Sequence, residues 1–241
     1  MNVSQETMDR LAKFDTPTIC NAIELFDVRP RNTGYMDGSV QCNFPEFPPV
    51  VGFAVTASFR SSAPPASGDA YDAMDEQVKL FEAQPGPAVV VIQDLDEPPV
   101  AAVFGEIMCT TYKAFGAAGL VTNGAGRDLD QVRDIGFPVF TGSTICSHAY
   151  CHLLDVGKPV HVGGLDVMTG ELMHGDINGV TSIPLDIATE VAEVARQVVD
   201  AEKNLLDYLS TPGEKSPDKV ATLRNELKDA LTQISQDIGG K

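Results

Sequence analysis

The chain has 241 residues, 43% of them hydrophobic and 21% charged, which suits one large buried core or two small ones and argues against wholesale disorder. Seventeen basic residues against 34 acidic ones leave a formal charge of −17, so a phosphate backbone is repelled and nucleic acid is excluded as the expected partner. Five irregularly spaced cysteines, an N-terminus (Met1–Glu6) without signal-peptide character and the lack of a long apolar run point to a soluble, cytoplasmic protein that does not enter a membrane.

In chain order, residues 3–14 read as a short helix. Thr16 can cap a second one, with Pro17 in its first turn and Ile19, Ile23 and Phe26 on one face. A Pro/Gly/Asn-rich loop runs from about Arg29 to Pro49. Val51, Phe53, Val55, Ala57 and Phe59 then alternate with smaller or polar residues, the period of a half-buried strand. The Ser62–Asp69 segment is a loop leading into a helix near Tyr71–Glu82, and Ala88–Ile92 is a β-branched run typical of a strand buried on both faces. After the acidic turn Asp94–Glu97 comes a helix over Glu106–Phe115, broken by Gly116. Leu120-Val121-Thr122 is a short buried strand with Asn123-Gly124-Ala125-Gly126 as its exit, followed by a short helix over Asp128–Ile135 and a strand over Phe137–Phe140. Val160–Ile183 is punctuated by Gly163-Gly164, Thr169-Gly170 and His174-Gly175-Asp176, the pattern of short strands with tight turns. A long amphipathic helix over Asp186–Leu209 and a Ser/Pro/Gly linker lead to a last polar helix over Val220–Ile238. The simplest organisation is one α/β domain over residues 1–209, with residues 210–241 as linker and C-terminal helix.

Two segments can carry chemistry. Gly105 stands at the start of a helix, where the amides of Glu106, Ile107 and Met108 lack intrahelical partners and, with the helix dipole, favour an anion such as a small carboxylate. The bland reading is a glycine that only makes a turn. In Asn123-Gly124-Ala125-Gly126-Arg127-Asp128, Arg127 can fork onto a carboxylate and Asp128 is a hard oxygen ligand suited to Mg²⁺ or Mn²⁺. Two glycines after a buried strand would let the backbone approach a ligand closely. The bland reading is an exposed salt bridge with Asp128 capping the next helix. It is not a dinucleotide fingerprint, because Arg-Asp-Leu follows where a third glycine would open the helix.

Cys146, His148, Cys151 and His152 form a dense Cys/His cluster without a second ligand pair at a usual spacing. It reads as a buried helix with polarizable packing, from which His148 or His152 could line a pocket. His161 reads as a strand surface residue, His174 as structural, and Asp176 as fixing a turn through its own backbone.

Gly105-Glu106-Ile107-Met108, then Lys113-Ala114-Phe115-Gly116-Ala117-Ala118-Gly119-Leu120-Val121-Thr122 continuing through Asp128, resembles the signature of the RraA-like superfamily, which includes the class II 4-hydroxy-4-methyl-2-oxoglutarate / 4-carboxy-4-hydroxy-2-oxoadipate aldolases. Gly136–Phe140, Gly163-Gly164, His174–Val180 and Ile183-Pro184 extend the resemblance over roughly Thr16 to Glu202. It implies a swivelling β/β/α fold, assembled as a homotrimer or homohexamer with the site between subunits. It also implies a divalent cation, Mg²⁺ or Mn²⁺, on Asp128, and a 2-oxo acid held by the amides at Gly105–Met108 and by Arg127. Charge logic then gives a lyase: the broken C–C bond leaves pyruvate as an enolate that a cation stabilises, and a metal-linked water held by acidic side chains takes the 4-hydroxyl proton. Glu106 and a carboxylate of the neighbouring subunit, Glu202 with Asp200 as fallback, would orient such waters. Oxaloacetate decarboxylation comes with the same enolate. Two departures from the family pattern stand out, Glu106 and Asn123 where aspartates are usual; the second would remove a negative charge near the metal. RraA proteins proper, ribonuclease-binding regulators, also keep the Arg-Asp pair, so a non-catalytic interaction protein is the alternative.

Overall fold

The computed structural model describes residues 3–66 and 72–239. The chain opens with helices α1 (Gln5–Leu11) and α2 (Thr16–Leu25), a short strand β1 (Gln41–Cys42) and the long strand β2 (Val50–Arg60). There follow α3 (Asp72–Glu82), β3 (Ala88–Asp94), β4 (Ala102–Phe104), α4 (Glu106–Ala114), β5 (Ala117–Thr122), β6 (Ala125–Gly126), α5 (Leu129–Asp134) and β7 (Val139–Thr141). Next come β8 (Ser143–Thr144), β9 (His152–Leu154), β10 (Val160–Val162), β11 (Leu165–Val167), β12 (Leu172–Asp176) and β13 (Gly179–Ile183), and then the long helices α6 (Ala188–Ser210) and α7 (Pro217–Gly239). Part of the loop expected over Ser62–Asp69, and the expected helix start at Tyr71, lie outside the described residues.

The main sheet has the order β1-β7-β5-β3-β2-β12-β13, with β9 also pairing β2. Strands β2, β3, β5 and β7 run parallel, whereas β12 pairs antiparallel with β2 and β13 antiparallel with β12. A second, smaller sheet β4-β6-β8 is parallel throughout, and β10 and β11 form a hairpin. Two sheets with helices packed about them give the expected swivelling β/β/α architecture, with the main sheet curling toward a barrel.

The expectation of a half-buried β2 is corrected, because every residue of β2 except Arg60 is buried. Val55, Ala57 and Phe59 pack beneath α3 and α4 with Val78, Phe81 and Tyr112. On the other face Ala54 joins Val89, Val91 and Val121 under Val160 and Val162 of the hairpin. The residues read as facing solvent are small, so a β-layer lies directly on them, and Thr56 satisfies its hydroxyl by donating to the Lys158 carbonyl at 2.6 Å. β3 is buried on both faces as its unbroken β-branched run implies.

The cap of α2 is also corrected. Asp15, not Thr16, occupies the N-cap and accepts from the Thr18 amide at 2.9 Å. Thr16 is instead the first helical residue, and its otherwise orphaned amide donates to Asp176 Oδ2 at 2.8 Å. Asp176 fixes its own turn as expected, accepting from the Asn178 amide at 2.7 Å, so one buried carboxylate ties the β12–β13 turn to the start of α2. His174 is fully buried and structural: Nε2 lies 3.3 Å from the Leu11 carbonyl, which can only accept, leaving Nδ1 to accept from the Thr16 hydroxyl at 3.0 Å.

The amphipathic stripe of α6 buries Val191, Val194 and Val198 against α1 and α2. Leu231, Ile234 and Ile238 of α7 pack on the same cluster. Among the described residues no helix is long and apolar enough to cross a membrane.

Asp176→Ala strands the Thr16 and Asn178 amides and is expected to destabilise the fold by about 1–3 kcal/mol. Urea unfolding should show a lower midpoint at unchanged slope.

Candidate active site

The small parallel sheet builds the site. β4 and β6 lie side by side with Phe104 in register with Gly126, and the Arg127 amide donates to the Phe104 carbonyl at 3.1 Å. Both strands end at the same edge, so Gly105 and the pair Arg127–Asp128 emerge as neighbours. Gly105 is the N-cap of α4 and supplies no side-chain cap, which leaves the first amides of the helix directed outward.

Asp128 supplies the missing cap from another element: its Oδ2 accepts from the Glu106 amide at 3.0 Å. Arg127 Nε lies 3.8 Å from the same oxygen, with the arginine side chain 29% and the aspartate 38% exposed. The bland reading of Asp128 as the side-chain cap of its own helix is corrected: it occupies the N-cap position of α5 but makes no capping hydrogen bond there. Its backbone is left-handed, with φ 54°, which turns the carboxylate across to α4. An L-residue pays roughly 1–2 kcal/mol for that conformation, aspartate less than most, and such strain concentrates at functional sites. Gly105 is required by this arrangement, since a Cβ there would sit 2.5 Å from Asp128 Oδ2 and 3.0 Å from Arg127 Nε.

These groups line one cavity of about 150 Å³. Gly105, Glu106, Ile107, Met108, Arg127 and Asp128 form its polar side; Phe59, Val103, Phe104 and Leu153 form an apolar wall; His148 and Cys151 complete it. A space near 150 Å³ takes a molecule about the size of benzene. Burial pushes the half-buried Cys151 thiol above its ordinary range, partly offset by the Arg127 guanidinium.

Several expectations change. The glycines of the Asn123–Gly126 turn make room for neighbouring side chains rather than for a ligand: a Cβ on Gly126 would meet the Phe104 ring at 2.4 Å, and one on Gly124 would meet Val103 at 2.5 Å. Asn123 does not line the cavity. Its amide clasps the backbone of Asp94, accepting from the amide at 2.8 Å and donating to the carbonyl at 3.0 Å, and an aspartate could not make the second bond. The Cys146–His152 stretch is not a buried helix. Cys146 and His148 are exposed on a turn, and His152 begins β9 with Nδ1 2.7 Å from the Tyr150 carbonyl. Glu202 lies within the chain in a different place, the groove between α2, α6 and α7 with Arg31, Arg224 and Lys228, and Asp200 is paired with Arg196. Sequence reading left His148 open and missed Cys151 as a cavity residue. Only the turn that folds them against β4 brings them there.

Asp94 lies behind the Asn123 clasp, 4% exposed. Its Oδ1 accepts from the Asp96 amide at 3.0 Å and its Oδ2 has no partner. Burial is the main cause that raises its pKa to about 6, against the opposing Asp96 hydrogen bond.

The donor set fits a hydrated hard cation. Asp128 is a half-exposed carboxylate beside Glu106, and among the described residues no three His, Cys, Asp or Glu side chains converge as a metal cage. A cation such as Mg²⁺ on Asp128 would therefore take most of its shell from water or substrate, as Mg²⁺ commonly does.

A β/β/α fold whose small parallel sheet aims a helix N-terminus, a guanidinium and a left-handed aspartate into one cavity defines an α/β protein with a small polar cavity at a strand edge. The chain belongs to the RraA-like family (Aldolase/RraA), whose pattern residues 16–181 match. It is 31% identical over 119 residues to a Halalkalibacterium halodurans protein whose name proposes 4-hydroxy-4-methyl-2-oxoglutarate aldolase activity, the match covering 49% of this chain and 56% of that protein. A Methanocaldococcus jannaschii protein without assigned function is 29% identical over 117 residues, 45% of this chain and 52% of its own. The chain thus spans about half the length of these curated relatives. Among solved structures, a Pseudomonas syringae protein of unassigned function superposes with a TM-score of 0.69 at 21% identity, covering 95% of this chain and 98% of that one. A Streptomyces coelicolor member of the RNase ES inhibitor RraA family superposes with a TM-score of 0.66 at 22% identity, covering 83% and 96%. These likenesses establish the shared fold.

Gly105→Ala forces the Asp128 carboxylate and Arg127 apart. Calorimetric titration with pyruvate should show affinity weakened by about tenfold or more, 1.4 kcal/mol, and the melting temperature should fall as the Glu106 amide loses its acceptor. For Asp94, a raised native pKa favours the protonated form, so its contribution to stability is full below pH 4 and is lost as pH rises through about 6. Asp94→Asn should therefore gain stability relative to the parent at pH 7.5 and lose that advantage at pH 4, read from paired thermal melts.

Proposed function

We propose that the protein is a divalent-cation-dependent carbon–carbon lyase that cleaves a 4-hydroxy-2-oxo dicarboxylic acid and releases pyruvate, with oxaloacetate decarboxylation as a side activity. The observation that carries this reading is the convergence of the α4 amides, Arg127 and Asp128 on one small cavity. The relative named as an aldolase supports it.

The chemistry needs three things. The carboxylate of the substrate must be held, and the remaining amides of the turn, those of Ile107 and Met108, with the helix dipole favour an anion there. The 2-oxo oxygen must receive negative charge as the C–C bond breaks, and Arg127, mostly withdrawn from water, donates to that charge where it develops. Asp128 would hold Mg²⁺ or Mn²⁺, with Glu106 orienting the waters of its shell, and the cation when bound supplies Lewis-acid stabilisation of the same charge. Phe59, Phe104 and Leu153 limit water around the reacting end.

Assembly as a homotrimer or homohexamer completes the reading. Ile107 is 65% exposed although it lines the cavity, and Tyr150, in the turn beside His148, is 57% exposed. Such apolar surface at a site supports an intersubunit position. Glu202 then acts from a neighbouring subunit, with Asp200 as the alternative.

Pyruvate release from 4-hydroxy-4-methyl-2-oxoglutarate and from oxaloacetate, followed by coupled lactate dehydrogenase, tests this. Activity should require Mg²⁺ or Mn²⁺ and vanish with EDTA. Arg127→Ala and Asp128→Ala should each lower kcat/KM by about 10²–10³-fold, about 3–4 kcal/mol. No turnover of any 2-oxo acid, together with tight binding of an endoribonuclease, would replace this reading with the non-catalytic regulator.

A further inference from the structure

We infer that His148 is the base that takes the proton from the substrate's 4-hydroxyl, an assignment that rests on the lyase reading above. His148 lines the same cavity as Arg127, Asp128 and the α4 amides. Its Nδ1 lies 2.9 Å from the carbonyl of Ala149. A carbonyl oxygen only accepts, so Nδ1 carries the hydrogen and Nε2 keeps a free lone pair. That tautomer is the one a general base needs.

The turn bearing His148 is built to hold the ring so. Ala149 has a left-handed backbone, φ 40°, an uncommon conformation for a residue with a Cβ. Its amide donates to Ser147 Oγ at 3.1 Å, and the Cys151 amide closes the turn on the His148 carbonyl at 2.9 Å. The turn is then fastened to the site itself: the Ala102 amide of β4, the strand that ends at Gly105, donates to the Ser147 carbonyl at 2.8 Å. One strand thus sets both the amides that receive the acid and the imidazole. Of the other groups in the cavity, Cys151 is held as a neutral thiol, Asp128 is engaged by the Glu106 amide, Glu106 is assigned to the cation's waters in the lyase reading, and Arg127 has no acceptor.

In the step, Nε2 accepts the 4-hydroxyl proton as the C4–O electrons form a carbonyl. The C3–C4 bond breaks, and its electron pair passes into the C2–C3 bond of the pyruvate enolate. The imidazolium then returns that proton to C3, giving pyruvate and regenerating the neutral ring. Atoms and electrons balance without an added oxidant or reductant. Oxaloacetate decarboxylation reaches the same enolate from a carboxylate that carries no proton, so its bond-breaking step does not need this base, and the enolate takes its C3 proton from water.

The difference gives the test. In His148→Ala, kcat for 4-hydroxy-4-methyl-2-oxoglutarate cleavage should fall by about 10²–10⁴-fold. Oxaloacetate decarboxylation should stay within about threefold, and millimolar imidazole should restore part of the cleavage rate. Arg127→Ala should lower both reactions. Cleavage and decarboxylation falling together in His148→Ala, or cleavage unchanged, would overturn the assignment and leave the lyase reading standing. Absence of both reactions in the unaltered protein would remove that reading and this assignment with it. A thermal melt of His148→Ala matching the parent excludes misfolding, which this exposed turn position makes the expected result.

Discussion

The hydrogen bond from the Glu106 amide to the Asp128 carboxylate organises the site. A helix beginning at glycine has no cap of its own, and an aspartate forced into the left-handed region cannot cap the helix that follows it. Each deficiency answers the other, because β4 and β6 are parallel neighbours that end at the same edge. The contact also holds a negative charge at a helix N-terminus, where the dipole stabilises it. It leaves Arg127 beside that charge and directs the remaining amides of the turn toward the cavity. Gly105 stands at the centre of this geometry, since any side chain there would occupy the space of the carboxylate.

The two sheets divide the work. The main sheet is dry on both faces of β2 and β3, and its burial supplies the stability that tolerates strain elsewhere. The small sheet, only two or three residues per strand, carries the polar groups. Between them the Asn123 amide clasps Asp94, tying the carboxyl ends of β5 and β3 together. An asparagine there contributes a donor that aspartate lacks, and it avoids a second carboxylate beside a buried one whose charge is already disfavoured. The Asn123 departure from the family pattern is thus structural in this chain, whereas Glu106 stands in the cavity itself.

Charge gives the cavity its character. A chain with a formal charge of −17 offers anions little general attraction, so a small acid bound as proposed would have to be held by local geometry. A guanidinium largely withdrawn from water, a set of oriented amides and an apolar wall provide that, because each is stronger in a drier setting. His148, on a turn anchored to β4, is the one imidazole in that lining.

Much of this was written locally in the chain. The β-branched run of β3, the glycine that ends α4, the amphipathic stripe of α6 and the tight turns around Gly163-Gly164 and Asp176 follow from periodicity and backbone preference, which act over a few residues. Residue type likewise marks the open helix start at Gly105 and the Arg127-Asp128 pair as candidates. What depended on distant partners was not legible: that a β-hairpin covers the small side of β2, that Asp176 accepts the first amide of α2 from 160 positions away, and that Asn123 serves Asp94. The Cys146–His152 stretch read as a helix because its apolar and polarizable residues fit that period, yet a strained turn pinned to Ser147 and β4 prevailed. Sequence by itself determined which groups could bind an acid. Only the tertiary structure decided which of them meet, because parallel strand register, a nonlocal property, sets Gly105 against Asp128, and a hydrogen bond from β4 to the Ser147 carbonyl brings the His148 turn to the same cavity.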